Sequence, residues 1–418
     1  MSSFMEKLLD DVEVERRTLG QIGEFIRGNG MQKKDFVDTG FPAIHYGQIY
    51  TKYGLSATKT FVSVSDELAR KLRIANTNDL LLATTSENDE DVVKPLAWLG
   101  KQAAISGDMM LFRHAQNVKY LAYYFQTESF QEQKRKYITG AKVRRVSSGD
   151  LAKIVVPIPC PDNPKKSLEI QAEIVRILDT FTSLTTELTT ELNARKKQYN
   201  YYRDKLLSFE EGEAEWKTLG ECFPQIRNGF VGTVTPFYTD SSIGIRYLQG
   251  TNIKNGKIND DKVFFVTKEF HQRQKKTILK ADDILVVQSG HVGDSAVVGI
   301  EYQDSNCHAL IVMSNGGNCN SKFVNYYLQS REGQGKLAHI VTGGTVKHIL
   351  ASKIKKVIVP LPPSAEQARI VAILDKFEAL TNSLREGLPR EIELRQKQYE
   401  YYRDLLLSFP KQESEEAA

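Results

Sequence analysis

Two short segments of this 418-residue chain carry the side chains best suited to contact chemistry. Gly140-Ala-Lys-Val-Arg-Arg145 and Gly343-Gly-Thr-Val-Lys-His348 are glycine-led polar turns at equivalent points, each just ahead of a β-branched run. Glycine lets a backbone approach a ligand closely, and Lys142, Arg144, Arg145, Thr345, Lys347 and His348 are donors of the kind that hold phosphate oxygens and the acceptor edges of bases. The competing reading is a solvated turn with ordinary charges. Further candidates sit on shorter turns: Ser86 in Thr84-Thr-Ser86, Gln288 and Ser289 in Gln288-Ser-Gly-His291, Gln48 after Tyr46-Gly47, and Asn252 in Gln249-Gly-Thr-Asn252. Lys134 and Lys136 of Lys134-Arg-Lys136 suit phosphate rather than base contact, with a solvated helix face as the alternative. Arg195, Lys196, Arg203, Arg395, Lys397 and Arg403 lie among tyrosines at helical spacing and read as ion pairs or partner-docking residues.

Catalytic signatures are missing from the sequence. It contains no Gly-x4-Gly-Lys-[Ser/Thr], no His-Glu-x-x-His and no Asn-Pro-Pro-aromatic; Asn163-Pro-Lys-Lys166 lacks the aromatic that would stack on a flipped adenine. Pro161-Asp162 followed by lysines has no second carboxylate at nuclease spacing. Cys160, Cys222, Cys307 and Cys319 form no Cys-x2-Cys pair, so they read as packing residues and neither a metal site nor a disulfide framework is expected. With 41% hydrophobic and 26% charged residues the chain has the composition of a folded protein, and a net charge of +4 permits a polyanionic partner without requiring one. Its apolar runs are strand-sized, and the N-terminus shows no basic start followed by an apolar core, so no membrane span and a cytoplasmic location are expected.

The elements that must position these turns follow from an internal repeat. Gln171-Ala-Glu-Ile-Val-Arg-Ile-Leu-Asp179 returns as Gln367-Ala-Arg-Ile-Val-Ala-Ile-Leu-Asp375, and Lys197-Gln-Tyr-Asn-Tyr-Tyr-Arg-Asp204 as Lys397-Gln-Tyr-Glu-Tyr-Tyr-Arg-Asp404. Between them the correspondence is looser: Thr18-Leu-Gly20 with Thr218-Leu-Gly220, and Lys153-Ile-Val-Val-Pro-Ile-Pro159 with Lys356-Val-Ile-Val-Pro-Leu-Pro362. The chain therefore reads as head, connector, head, connector: 1–163, 164–212, 213–363 and 364–412, then an acidic tail, 413–418.

Each connector is expected to be a long helix. Ile174, Ile177, Phe181, Leu184, Leu188 and Leu192 in the first, and Ile370, Ile373, Phe377, Leu380, Leu384 and Leu388 in the second, fall at steps of three and four. Prolines are expected to stop the preceding strands, Ser364-x-x-Gln367 has the form of a capping box, and Gly387 with Pro389 should kink or interrupt the second helix. A stripe on so narrow an element needs cover, most simply from the other connector packed antiparallel, with the heads related by an approximate two-fold axis. The heads read as β-rich and mixed, with strands at Thr60–Val64, Val263–Val266, Ile284–Val287, Ala309–Val312 and Ile154–Val156, and helices at Val118–Phe125 and Lys322–Leu328 whose aromatics belong to the core. The fold class is α+β: two β-rich domains separated by two long coiled-coil helices.

A strand ending in Val-Pro-Ile-Pro or Val-Pro-Leu-Pro, then Gln-x-x-Ile-Val-x-Ile-Leu-Asp-x-Phe, then a helix closing in Tyr-Tyr-Arg-Asp-x-Leu-Leu-Ser-Phe, is similar to the two conserved regions of type I restriction-modification specificity subunits. The resemblance covers essentially the whole chain, twice over. It implies that each head is a target-recognition domain reading one half of a split, asymmetric site on double-stranded DNA. It further implies two methyltransferase subunits that modify adenine with S-adenosylmethionine and two motor-nuclease subunits that use ATP and Mg, with no cofactor on this chain. The tandem Thr185-Thr-Glu-Leu188 and Thr189-Thr-Glu-Leu192 resembles the repeated tetrapeptide of one branch of the family, where an added unit goes with a longer gap between half-sites. Thr185, Leu188, Thr189 and Leu192 are therefore candidate spacer-setting residues. The rival reading is a two-headed adaptor that binds proteins across a helical spacer.

Overall fold

A computed structural model describes residues 12–344, 347–382 and 387–409. Thr345 and the acidic tail lie outside the described residues. The chain forms two compact units: one runs to Leu188 and resumes at Ile392, and the other is Thr189–Glu391.

In the first unit two five-stranded sheets are built from short strands. One has the order Gly23–Arg27, Met109–His114, Leu80–Ala83, Lys94–Trp98 and Ser56–Ala57; the other runs Phe36–Val37, Val62–Val64, Phe41–Ile44, Ala103–Ile105 and Arg73–Ala75. Both are mixed, with parallel pairs at Ala97↔Ser56 and Ala104↔Ala43. Leu80–Ala83 is covered on both faces, which is why it reads Leu-Leu-Leu-Ala rather than alternating. The second unit is leaner. Its larger sheets are Gln225–Asn228, Leu310–Ser314, Ile284–Val287, Ser295–Val297 and Phe264–Val266, Ile245–Leu248, Asn306–Cys307. Strands expected at Thr60, Val263 and Ala309 begin at Val62, Phe264 and Leu310, and Ile284–Val287 forms in full. The aromatics of Val118–Tyr124 and Ser321–Gln329 are core residues, with Tyr120, Tyr123, Tyr124, Tyr326 and Tyr327 all buried.

The first connector is one continuous helix, Pro164–Leu206. The second comprises Ser364–Asn382 and Gly387–Ser408, and Gly387 takes φ +78°, a value foreign to a helix interior, where an interruption was expected. Cover for the stripe comes from both connectors and a head together. In the first unit Ile170, Ile174, Leu178 and Phe181 share one core with Tyr399, Leu406, Leu407 and Phe409, and Phe181 stacks on Tyr402 at 5.4 Å. The second unit repeats this with Ile370, Val371 and Leu374 against Tyr199 and Leu207, and Tyr202 stacks on Phe377 at 5.9 Å. Each head thus holds the start of the connector that follows it and the end of the other one.

Polar contacts fix that packing, and they repeat. The capping box expected at Ser364 gives way to a different bond: Gln367 donates from Nε2 to the Pro362 carbonyl (2.8 Å) and accepts the Asn320 amide at Oε1 (2.9 Å). Gln171 does the same for the Asn117 amide (2.9 Å). Asn117 and Asn320 are the N-caps of the head helices, so a buried glutamine anchors each head helix to its connector. About two helical turns further along each connector, Tyr123 and Lys119 bond Asp179, and Tyr326 and Lys322 bond Asp375. At the far ends Asp404 accepts the Glu128 amide and Asp204 the Arg331 amide, each at 3.2 Å, placing a carboxylate at a helix N-terminus. Of the prolines expected to stop the strands, Pro157, Pro159 and Pro360 lie inside them, while Pro161, Pro164, Pro362 and Pro363 follow the strand ends at Pro159 and Leu361. Val155–Pro159 and Ile358–Leu361 each pair on one side only, and Pro157, Pro159 and Pro360 direct their nitrogens to the unpaired side, where no donor is needed.

This closure yields two expectations. Burying Tyr399, Leu406, Leu407 and Phe409 is worth roughly 1.5–3 kcal/mol each, a sum comparable with the ~5–15 kcal/mol stability of a whole domain. Deleting residues 392–418 is therefore expected to loosen the N-terminal head: amides of 118–135 lose hydrogen-exchange protection while those of 284–287 and 310–314 keep theirs. The second expectation concerns His114, whose buried Nε2 has no partner and whose ring burial pushes down to a pKa of about 4. A depressed folded-state pKa means that the stability is complete above the unfolded value near 6.5 and is lost as pH falls from there toward 4. His114→Asn should flatten the pH dependence of urea unfolding between pH 7 and 4.5 by about 1–3 kcal/mol.

Candidate nucleic-acid interface

In the first unit the glycine-led turn closes on itself. Thr139 and Arg145 exchange both backbone hydrogen bonds at 2.9 Å, and Gly140 takes φ +93° with no room for a Cβ beside the Val143 carbonyl. Arg144–Arg145 then pairs antiparallel with Thr85–Ser86, Arg144 opposite Ser86 and Arg145 opposite Thr85. The second unit repeats the arrangement: Thr342 and His348 exchange both bonds at 2.8 Å, His348 bridges Ser289, and the Ile349 amide donates to the Gln288 carbonyl at 3.1 Å. In each head the structure therefore joins two segments that the sequence offered separately. Lys142, Arg145, Ser289 and Lys347 are exposed there, and Ser86, Gln288, Arg144 and His348 are half-buried.

Other candidates do not belong to this surface. Lys134 is 1% exposed, and its ammonium donates to the carbonyls of Glu90 and Val92, both at 2.9 Å. Burial pushes its pKa down to about 8. A lysine so enclosed holds the 86–93 turn from beneath, and the phosphate role is withdrawn; Lys136 remains exposed. Asn252 is also withdrawn: fully buried, it accepts the Gln249 amide (3.0 Å) and donates to the carbonyls of Asn259 (3.1 Å) and Lys262 (2.6 Å), so its amide has nothing left for a base. Gln48 accepts the His45 amide at 3.1 Å as the N3 residue of a short helix. The connector candidates are accounted for by ion pairs in part: Arg195 with Glu191, Arg203 with Asp204, Arg403 with Asp404 and Lys397 with Glu393.

Sequence reasoning missed Asp89. Its carboxylate lies 2.8 Å from Arg144 Nε, off the donor axis, while Arg144 Nη1 donates to the Gly140 carbonyl at 2.6 Å. Tyr50 was missed as well: its hydroxyl donates to the Thr85 carbonyl at 2.9 Å and burial pushes its pKa up. The available signal was the acidic run Glu87-Asn-Asp-Glu-Asp91 directly after Ser86.

Among the described residues no helix is long and apolar enough to cross a membrane, and no three His, Cys, Asp or Glu side chains form a metal-holding group. All four cysteines are unpaired; Cys222 and Cys307 are buried, Cys160 and Cys319 half-buried.

The model for the type I restriction modification DNA specificity domain matches residues 11–197 and 231–394. The EcoR124I/EcoR124II type I restriction enzyme specificity subunit of Escherichia coli is 37% identical, covering 99% of this chain and 98% of its own. A putative type I specificity subunit of Haemophilus influenzae, S.HindORF215P, is 31% identical over 97% and 98%. The fold is shared with the S subunit of a type I restriction-modification system from M. genitalium, at 15% identity, 96% and 97% coverage and a TM-score of 0.52. It is also shared with a chain from a structure describing complex assembly and conformational transition of the type I R-M system, at 15% identity, 94% and 97% coverage and a TM-score of 0.63. Matched along nearly its whole length by family model and relatives alike, this chain belongs to the specificity subunits of type I restriction-modification enzymes, the non-catalytic component that recognises the DNA sequence.

Proposed function

We propose that the paired turns, 139–145 with 84–86 in one head and 342–348 with 288–291 in the other, are the DNA-reading elements, each head reading one half of a split target. The carrying observation is that both heads pair the same two polar segments, Arg145 with Thr85 and His348 with Ser289, although the rest of the heads differ in sheet size. Turns pinned by backbone bonds hold side chains at fixed height, as groove reading demands. Lys142, Arg145 and Lys347 serve phosphate or base contact, with Ser86, Gln288, Ser289 and His348 as neighbouring polar readers; Thr345, outside the described residues, keeps its candidacy from the sequence alone. On this reading the chain works in the cytoplasm with two methyltransferase subunits, which supply S-adenosylmethionine chemistry, and two motor-nuclease subunits. The test is binding by the methyltransferase assembled with this chain: Arg145→Ala and Lys347→Ala should each weaken DNA binding by about 1–3 kcal/mol if the lost contact is to a base, or reduce the log–log salt slope by about 1 if it is to a phosphate. Unchanged affinity across the salt series would return both to solvated turns.

We also propose that the two Thr-Thr-Glu-Leu units place this chain in the tetrapeptide branch of its family and set the spacer. Support comes from where the compact units divide: between Leu188 and Thr189, the junction of the two copies. An insertion there lengthens the helix between residues packed on one head and residues packed on the other. Four added residues give about 6 Å of rise and a net rotation of about 40°. One base pair rotates DNA by about 34–36°. Inserting a third unit after Leu192 is expected to lengthen the recognised spacer by one base pair with both half-sites unchanged, read from the methylated motif of a host expressing the system. An unaltered spacer would remove Thr185, Leu188, Thr189 and Leu192 from that role.

A further inference from the structure

Arg144 is held from its own turn and from the turn opposite. Its strand is paired to Ser86, its Nη1 is bonded to the Gly140 carbonyl at 2.6 Å, and its Nε faces the Asp89 carboxylate at 2.8 Å. Asp89 is itself fixed, because the turn that carries it is tied down on several sides. Tyr50 bonds the Thr85 carbonyl at 2.9 Å, Lys134 bonds those of Glu90 and Val92, and Asn88 and Asp91 bond each other across the apex at 2.7 and 2.9 Å. About a third of the Arg144 side chain and half of Asp89 stay open to solvent.

A carboxylate beside an arginine works against phosphate binding, since it cancels the charge that attracts the backbone and repels the phosphates itself. It helps base reading, because a guanidinium bonded at Nη1 to the Gly140 carbonyl and held by charge against Asp89 on its Nε side keeps its Nη1–Nη2 end turned outward with donors to spare. Two parallel donors match O6 and N7 of guanine. The other head is built differently: the turn after Val287, Gln288-Ser-Gly-His-Val-Gly-Asp294, has no acidic residue before Asp294, and the equivalent Lys347 has no ion pair among the described residues. Lysine there is a rotating point charge without a fixed fork.

We infer that Arg144 reads a guanine in the half-site of the N-terminal head and that Asp89 is the positioning residue that aims it. This rests on the reading that the paired turns face DNA. The test uses the methyltransferase assembled with the full chain and duplexes carrying its methylated motif, each with one base pair exchanged, in competition binding over a salt series. The wild-type assembly should discriminate one G·C pair of that half-site. Arg144→Ala and Arg144→Lys should lose roughly tenfold or more of that discrimination, and Asp89→Asn about tenfold, with every position of the other half-site unchanged. Asp89→Asn should at the same time bind unrelated DNA at least as tightly as wild type, since it removes a negative charge; a general weakening would mark it as a folding defect, and Asp89→Glu, which keeps the charge, should then restore discrimination if the proposal holds. Full discrimination in Asp89→Asn with loss in Arg144→Ala would overturn the positioning role alone. Equal weakening on all duplexes by Arg144→Ala would make Arg144 a phosphate contact and overturn the proposal while leaving the turns on DNA. No effect of any Arg144 variant, together with none of Arg145→Ala, would remove the turns of the N-terminal head from DNA.

Discussion

The structure depends on the burial of an apolar stripe that its own helix cannot cover. A helix presents a face about one residue wide at each step, and Ile174, Leu178 and Phe181 or Ile370, Val371 and Leu374 would stand in water if the connectors were alone. The heads supply helices to receive them, and a segment from the other connector closes the remaining side. Apolar burial is non-directional, so it leaves register open. Register is set by the polar groups at the same seam: Gln171 and Gln367 accept one particular amide each, and Asp179 and Asp375 gather a tyrosine and a lysine from the same head helix. A slip by one residue would leave the buried amides of Gln171 and Gln367 and the hydroxyls of Tyr123 and Tyr326 unpaired, at a cost of about 1–3 kcal/mol each.

With the frame fixed in this way, the heads are free to diverge where they meet a ligand. The seam residues recur pair by pair, while the sheets above them differ in strand number and the turns differ in length and charge. The N-terminal head fills its longer turn with carboxylates and balances one against Arg144; the other head has a short glycine-bearing turn, Gly290 at φ +87° and Gly293 at φ +95°, beside Lys347 and His348. The same backbone pairing therefore presents two chemically distinct faces, which is what an asymmetric target asks of a duplicated protein.

Much of this was legible in the sequence because it rests on local rules. The repeat, the three-and-four spacing of the connectors, the glycine break at 387 and the buried aromatics of the head helices follow from periodicity and composition. What escaped reading depends on partners distant in sequence. Nothing local distinguishes Lys134 from Lys136, yet one lies under the 86–93 turn and the other in water, because the helix Glu128–Arg135 turns one face to that loop. Asn252 looked like a base reader for the same property that makes it a good loop anchor, an amide with both donor and acceptor ends. Ser364-x-x-Gln367 had the pattern of a local cap, and a long-range demand from Asn320 took the glutamine instead.

Lys134 connects the interior of the N-terminal head to its polar surface. Its ammonium faces inward, and the carbonyls it gathers belong to the turn that bears Asp89. An ammonium enclosed by protein gives up solvation, and burial lowers its pKa accordingly. The carbonyls that compensate it are thereby drawn to one place, and a run of four acidic residues, Glu87, Asp89, Glu90 and Asp91, which would otherwise repel one another into an open loop, is held around a buried positive charge. The order of the turn is thus set from inside the head, by a cation that no ligand touches, and the carboxylate facing Arg144 inherits its position from that interior bond.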